Sequence, residues 1–121
     1  MMNSGVKEMD LLDAVRFLGE PAVLEQLAEE CAELGQAALK MARLQRGDNP
    51  TPKSWLDCKE NLEEELADVD LCMRMVYLSG NDTDVADLNT VSEIESVKQK
   101  RLLQRLKEAR ERRNKEGVSH A

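Results

Sequence analysis

Two stretches of this 121-residue chain decide its fold: VLEQLAEECAELGQAALKMA at residues 23–42 and LEEELADVDLCMRMV at residues 62–76. In both, apolar residues recur at alternating steps of three and four, which is the spacing that lines one face of an α-helix. These positions are Leu24, Leu27, Cys31, Leu34, Ala38 and Met41 in the first stretch, and Leu62, Leu66, Val69, Met73 and Val76 in the second. We therefore predict two long helices that pack together along these positions.

The residues around the two stretches indicate where the helices begin and end. Gly19 ends a short amphipathic helix over 6–18. Gly47 and the two prolines that follow it predict a loop after the first core helix. The second core helix begins at an N-cap, Thr51 or Ser54, and runs to about Leu78. The predicted core helices span 21–45 and about 54–78.

A last helix over 92–115 is indicated by Ser92 and Glu95, which have the spacing of a capping box. The expected fold is an all-α helical bundle, with two long antiparallel core helices plus N-terminal and C-terminal helices. We expect a single domain over residues 1–116 and a frayed tail over 117–121.

The composition agrees with a helical protein and excludes several classes of chemistry. Aromatic residues make up 2% of the chain, and no stretch alternates like a β-strand. No membrane span or signal peptide is recognised, so we expect a cytoplasmic protein without membrane contact. The three cysteines lack the spacing of a metal or redox motif, and Cys31 is expected to be a buried apolar residue. The only histidine is His120, which argues against histidine-based catalysis or zinc binding.

The charge is unevenly distributed along the chain. The net charge is −7, but residues 93–116 hold nine of the 17 basic side chains against five Glu. An acidic body with one basic helix is poorly suited to binding nucleic acid. It is better suited to binding cations on the acidic part and phosphate on the basic helix.

Two acidic pairs occur in the same phase on the two core helices. Glu30 and Glu33 lie one turn apart, and Glu65 and Asp68 repeat the spacing. One such pair is typical of a solvated helix face. A second pair at the same position relative to the apolar residues indicates that the carboxylates of the two helices meet. Both pairs are expected to border the packing face, where four carboxylates would meet. Oxygen ligands in that number suit Mg²⁺, with Mn²⁺ as a substitute.

The ordered set of these motifs resembles the MazG-like nucleotide pyrophosphohydrolases of the all-α NTP pyrophosphatase superfamily, in the variant typical of phages and prophages. The resemblance rests on EECAELGQAALKMAR, then NPTP, then ENLEEELADVDLCM, then VKQKRLLQRL, and covers about residues 22–107. Two features depart from the family pattern. The gap between the acidic motifs is longer than in compact members, and Lys100 stands where a frequent Asn would be.

The resemblance implies an Mg²⁺-dependent enzyme that cleaves a nucleoside triphosphate between the α and β phosphates. The family signature matches Glu30, Glu33, Glu65 and Asp68 as metal ligands, with bound ions bridging phosphate oxygens and activating a water. A carboxylate of the cluster would accept the proton of that water, and Glu33 is our candidate.

Other polar residues are candidates for contacting the nucleotide. On the predicted last helix, Lys98, Arg101 and Arg105 recur at steps of three and four, which suits neutralising a leaving pyrophosphate. Lys40 continues the face of the first acidic pair and is either a phosphate contact, as the resemblance implies, or a salt-bridge partner. Asn49 could read a base edge or simply initiate a turn. Trp55 could stack on a base, but we favour the interpretation that it covers the core.

The sequence is also compatible with two other functions. The apolar faces alone would suit a non-catalytic helical oligomerisation or interaction module. A narrower relative, such as a phosphoribosyl-ATP pyrophosphohydrolase or a dUTPase-like enzyme, is equally compatible with the motifs. The apolar faces are extensive for so thin a monomer, so we expect a homodimer or homotetramer with part of each active site supplied by a neighbour.

Overall fold

The computed structural model describes residues 8–47, 54–83 and 85–117, and 94% of these are helical. The four helices are α1 (Glu8–Leu18), α2 (Glu20–Arg46), α3 (Trp55–Thr83) and α4 (Leu88–Gly117). No strand occurs in the described part of the chain, so the predicted all-α class is confirmed. None of these helices holds a segment long and apolar enough to cross a membrane.

The chain divides into two compact units, Met1–Val85 and Ala86–Ala121, which are described separately. In the first unit, α2 packs extensively against α3, and α1 packs against both. The second unit contains α4, whose described side chains are almost all exposed.

Glycines set both ends of α2. Gly19, at φ +86°, precedes the helix, and Pro21 occupies its first turn. Gly47 adopts the left-handed conformation at φ +71°, and its N–H donates to the carbonyl oxygens of Arg43 at 3.0 Å and Leu44 at 3.3 Å. Only glycine adopts this conformation without strain, so the predicted stop after residue 45 is confirmed within a residue. Residues 48–53, including Thr51, lie outside the described residues.

Side chains cap the other two long helices. At α3, the Asp57 N–H donates to Ser54 Oγ at 3.2 Å, which confirms Ser54 as the N-cap. The predicted end at Leu78 is too early, because α3 continues to Thr83. In this extension Ser79 is buried, and its hydroxyl donates to the Val76 carbonyl at 2.7 Å, so the polar residue is accommodated inside the helix.

The predicted start of α4 at Ser92 is wrong. Asp87 caps the helix instead, since its carboxylate accepts from the Thr90 backbone N–H at 3.1 Å and from the Thr90 hydroxyl at 2.8 Å. These hydrogen bonds lower the pKa of Asp87. Ser92 and Glu95 lie inside the helix, because Asp87, five residues before Ser92, already accepts from an N–H group of the first turn.

The interface between α2 and α3 uses half of the predicted α2 positions, Leu27, Leu34 and Met41, and replaces the other three by their neighbours one residue earlier. The described buried side chains are Val23, Ala37 and Met41 on α2, and Cys58, Val69, Cys72, Val76 and Ser79 on α3. On α2 the inner stripe, which we define as residues 20, 23, 27, 30, 34, 37, 41 and 44, is buried or half-buried at every position. On α3 the inner stripe is residues 58, 62, 65, 69, 72, 76 and 79, with the same burial.

Several residues predicted to pack are therefore exposed. Leu24, Cys31 and Ala38 of α2 and Leu66 and Met73 of α3 all lie outside the inner stripe. The prediction that Cys31 is buried is wrong. The physical reason is that apolar residues also occupy positions one residue along from the inner stripe, at 24, 31 and 38 of α2 and at 66 and 73 of α3, and periodicity cannot tell which of two adjacent apolar residues faces the partner helix.

Candidate metal centre

Three carboxylates from α2 and α3 meet at one place. Glu30, Glu33 and Glu65 can each contribute one oxygen atom to a group in which all three atoms lie within 4.8 Å of one another. Glu30 and Glu65 are half-buried because they occupy positions in the inner stripe, whereas Glu33 is exposed. Both pairs therefore lie at the packing face, with Glu30 and Glu65 inside the inner stripe and Glu33 exposed beside it.

The antiparallel register of α2 and α3 creates this convergence. Glu33 of α2 lies within hydrogen-bonding range of Glu65 of α3, and Glu30 of α2 lies within the same range of Asp68 of α3. The earlier residue of each pair therefore meets the later residue of the other pair, as expected for antiparallel helices. Asp68 is half-buried and adjoins Glu30 and Glu65, but it is not part of the group of three. The structure thus brings three of the four predicted ligands together and places Asp68 beside them.

The cluster raises the pKa values of its members. The pKa of Glu65 rises to about 7, mainly because burial penalises its charge, and further because of the hydrogen bond and charge of Glu33 and the charge of Glu30. The pKa of Glu30 is also raised, by burial first and then by the charges of Glu33 and Asp68. Without a compensating charge, these carboxylates hold a proton at pH values where isolated ones do not.

One oxygen of the cluster has no hydrogen-bond donor. Gln26 Nε2 donates to Glu30 Oε1 at 2.9 Å, which fixes the orientation of the carboxylate. Glu30 Oε2 is buried and has no hydrogen-bond partner within the part of the chain that the structure describes. A buried anionic oxygen without a donor is costly, and a proton or a cation relieves that cost. Carboxylate oxygens alone, with no sulfur or nitrogen in the group, suit a hard divalent cation such as Mg²⁺ or Mn²⁺. The residues present therefore fit such an ion.

Two residues near the cluster were not identified from the sequence. Gln26 lies four residues before Glu30, a spacing that places both on one helix face and could have identified it. Cys72 is buried close to Glu30 and Asp68, and its thiol pKa is raised by burial and by their charges. Its position four residues after Asp68 was the available signal.

The predicted nucleotide contacts fall in three places. Lys40 is exposed on α2, two turns after Glu33 and on the same face of the helix. Asn49 lies outside the described residues. Lys98, Arg101 and Arg105 are exposed on α4, where their spacing places them on one face of the second unit. Trp55, expected to cover the core, is 53% exposed in the first turn of α3.

No family model matches this sequence, and comparisons with curated proteins and with solved structures give no significant match. The function is therefore argued from the residues and their geometry.

Proposed function

We propose that this chain is an Mg²⁺-dependent nucleoside triphosphate pyrophosphohydrolase, with Mn²⁺ as a substitute ion, which converts a (d)NTP to a (d)NMP and pyrophosphate. The observation that supports this most directly is the convergence of Glu30, Glu33 and Glu65, together with a buried Glu30 oxygen that has no donor among the described residues. The resemblance of the ordered motifs to MazG-like enzymes supports the choice of reaction. A cytoplasmic location belongs to the same proposal, since three free cysteines suit a reducing compartment.

Each member of the cluster has a role in this proposal. Glu30, Glu33, Glu65 and Asp68 hold the metal, and Gln26 keeps the Glu30 carboxylate in one orientation through its hydrogen bond. A bound divalent ion polarises phosphate oxygens and makes a bound water more acidic. Glu33 is the exposed member, so it is accessible to accept the proton of the water that attacks the α phosphorus.

Basic side chains contact the polyphosphate in the same proposal. Lys98, Arg101 and Arg105 remain the candidates for neutralising the charge that develops on a leaving pyrophosphate. Lys40 contributes from the face of α2 that carries Glu33. Asn49 remains the candidate for contacting the base.

The test is a pyrophosphate-release assay with Mg²⁺ over a panel of canonical and damaged NTPs and dNTPs, with chromatography of the products. We expect a monophosphate and pyrophosphate, and we expect the Glu65→Gln variant to lose turnover. Glu64→Gln is the matched control, because Glu64 is exposed next to Glu65 and its replacement removes the same charge. A nucleoside diphosphate as product, or full activity of Glu65→Gln, would contradict the proposal.

The second candidate is a non-catalytic helical oligomerisation module, which the exposed apolar residues of α2 and α3 favour. If no nucleotide of the panel yields product, this candidate takes precedence. Turnover of a single nucleotide would instead indicate a narrower relative of the phosphoribosyl-ATP or dUTP type.

A further inference from the structure

A buried thiol adjoins the acidic cluster on α3. Cys72 is 5% exposed in the inner stripe, and it follows Asp68 by four residues, so the two side chains lie on the same face of the helix. Within the part of the chain that the structure describes, its thiol takes part in no disulfide and no hydrogen bond. A buried cysteine ordinarily packs among apolar side chains as a small hydrophobic residue. Cys72 differs from such a residue because carboxylates are among its neighbours.

The antiparallel register places Cys72 close to Glu30 of the other helix. Glu30 of α2 meets Asp68 of α3, and the two chains run in opposite directions from this point. Four residues beyond Asp68 on α3 therefore correspond to four residues before Glu30 on α2, which is the level of Gln26. Gln26 Nε2 donates to Glu30 Oε1 at 2.9 Å, so this hydrogen bond draws the Glu30 carboxylate towards the level of Cys72.

The electrostatics agree with this placement. Burial raises the pKa of the Cys72 thiol, and the charges of Glu30 and Asp68 raise it further. Glu30 Oε2 is buried and has no donor among the described residues. A buried thiol and a buried carboxylate oxygen, both without hydrogen-bond partners in the described part of the chain, therefore lie close together beside a second carboxylate.

A sulfur atom changes the kind of cation that such a place suits. Oxygen ligands alone suit Mg²⁺, whereas a thiolate combined with carboxylates suits Zn²⁺ and similar borderline divalent ions. Zn²⁺ binds cysteine sulfur at about 2.3 Å and carboxylate oxygen at about 2.0–2.2 Å, in tetrahedral geometry. The thiol proton leaves to solvent as the bond between sulfur and metal forms. No histidine is needed for a site of this kind.

We propose that Cys72, Glu30 and Asp68 form a thiolate–carboxylate site for Zn²⁺ or a similar divalent ion, next to the group formed by Glu30, Glu33 and Glu65. Water completes the tetrahedron as the fourth ligand. Glu30 belongs to both sets, so an ion bound through Cys72 takes a ligand away from the three-carboxylate group. The site gives the chain a second mode of metal binding whether or not it hydrolyses nucleotides.

The site forms when one side chain turns. Among the described residues, Sγ of Cys72 is not part of a group of ligand atoms that lie within 4.8 Å of one another. Turning the Cys72 side chain from one staggered rotamer to another moves Sγ by about 3 Å. Glu30 Oε2 accepts no hydrogen bond from a described residue, so it can bind the ion while Gln26 keeps its hydrogen bond to Oε1.

The test is a titration of the full chain with Co²⁺ alone, followed by absorption spectroscopy, with the thiols kept reduced by a phosphine. A Co²⁺–thiolate bond gives a charge-transfer band in the near ultraviolet that oxygen ligands do not give. We expect this band for the unmodified chain, its disappearance when Zn²⁺ displaces Co²⁺, and its loss in Cys72→Ser. In that variant the Zn²⁺ affinity should fall at least about tenfold, the lower end of what outer partners of a metal site contribute. The Mg²⁺ affinity should not change.

The other two cysteines provide matched controls. Cys58 is 4% exposed on the same inner stripe, but it lies about 21 Å along α3 from Cys72. Cys31 is exposed on α2 and adjoins Glu30 in sequence. Cys58→Ser and Cys31→Ser should both keep the charge-transfer band. Circular dichroism of each variant checks that its helicity is unchanged.

A variant of the carboxylate side tests the site with the thiol intact. Glu30→Gln should lose the band although Cys72 is present, because the thiolate alone does not hold the ion. If Cys72→Ser loses its helicity, the unmodified chain and Glu30→Gln decide the question. Co²⁺ bound without a thiolate band, a band that persists in folded Cys72→Ser, or a band of full strength in Glu30→Gln would each overturn the proposal. The test uses no nucleotide, so a negative result leaves the proposed hydrolysis to its own assay.

Discussion

Binding of Mg²⁺ should release protons near neutral pH, because the raised pKa of Glu65 makes metal and proton compete for the same carboxylate. With a pKa of about 7, Glu65 is ionised in about 9% of molecules at pH 6, about 50% at pH 7 and about 91% at pH 8. A metal ligand must be deprotonated. We therefore expect about half a proton to be released per Mg²⁺ bound at pH 7. The apparent affinity should weaken about tenfold from pH 8 to pH 6.

The measurement is isothermal titration calorimetry with MgCl₂ in buffers of different ionisation enthalpy, which counts the released protons directly. Glu65→Gln should show weaker binding without this proton release, and Glu64→Gln should behave as the unmodified chain does. The raised pKa of Glu30 acts in the same direction, so the measured release can exceed half a proton but not vanish. Binding at pH 7 without proton release, or affinity that increases as the pH falls, would refute the reasoning.

Three further predictions follow from named contacts. Without metal, the melting temperature should fall as the pH is raised from 6 to 8 in thermal scans with a chelator present. The reason is that the pKa of Glu65 is about 7 in the folded state and 4.5 ordinarily. The protonated Glu65 side chain therefore contributes its full stabilisation below about pH 4.5 and loses it as the pH rises through 7. A flat profile would contradict this. Arg101→Ala should raise the KM for a triphosphate about tenfold and leave Mg²⁺ affinity unchanged, since a phosphate contact acts on substrate. An altered metal affinity would count against that role. Ser54→Ala should lower the free energy of unfolding by about 1 kcal/mol and the melting temperature by about 5 °C, because the Asp57 N–H loses its acceptor. Ser54→Asp should restore the stability.

The helix boundaries that the sequence predicted well are those set by local chemistry. Gly47 and Ser54 are recognisable because each does something only a few residue types can do, namely adopt a left-handed conformation or accept from a free helix N–H. The start of α4 was missed for a related reason. Asp87 and Ser92 are both good caps, and sequence alone ranks Ser92 higher because Glu95 follows it at the spacing of a capping box.

The packing register could not be predicted in the same way. The predicted α2 positions included Leu27, Leu34 and Met41 of the inner stripe, but also Leu24, Cys31 and Ala38, because these are apolar and keep the same spacing. The structure instead buries the preceding neighbour, with Val23 1% exposed and Leu24 39% exposed. The choice depends on the shape and charge of α3, which is tertiary information.

The acidic cluster and the exposure of Leu24, Cys31 and Ala38 are two consequences of that single choice of register. If α2 packed against α3 through Leu24, Cys31 and Ala38, Glu30 would be rotated about 100° away from the interface, and its carboxylate could not meet Glu65. By packing through the neighbouring stripe, the chain accepts two carboxylates inside its helix interface, where they raise each other's pKa values and leave Glu30 Oε2 without a donor. The same rotation turns Leu24, Cys31 and Ala38 outwards, where all three side chains are exposed.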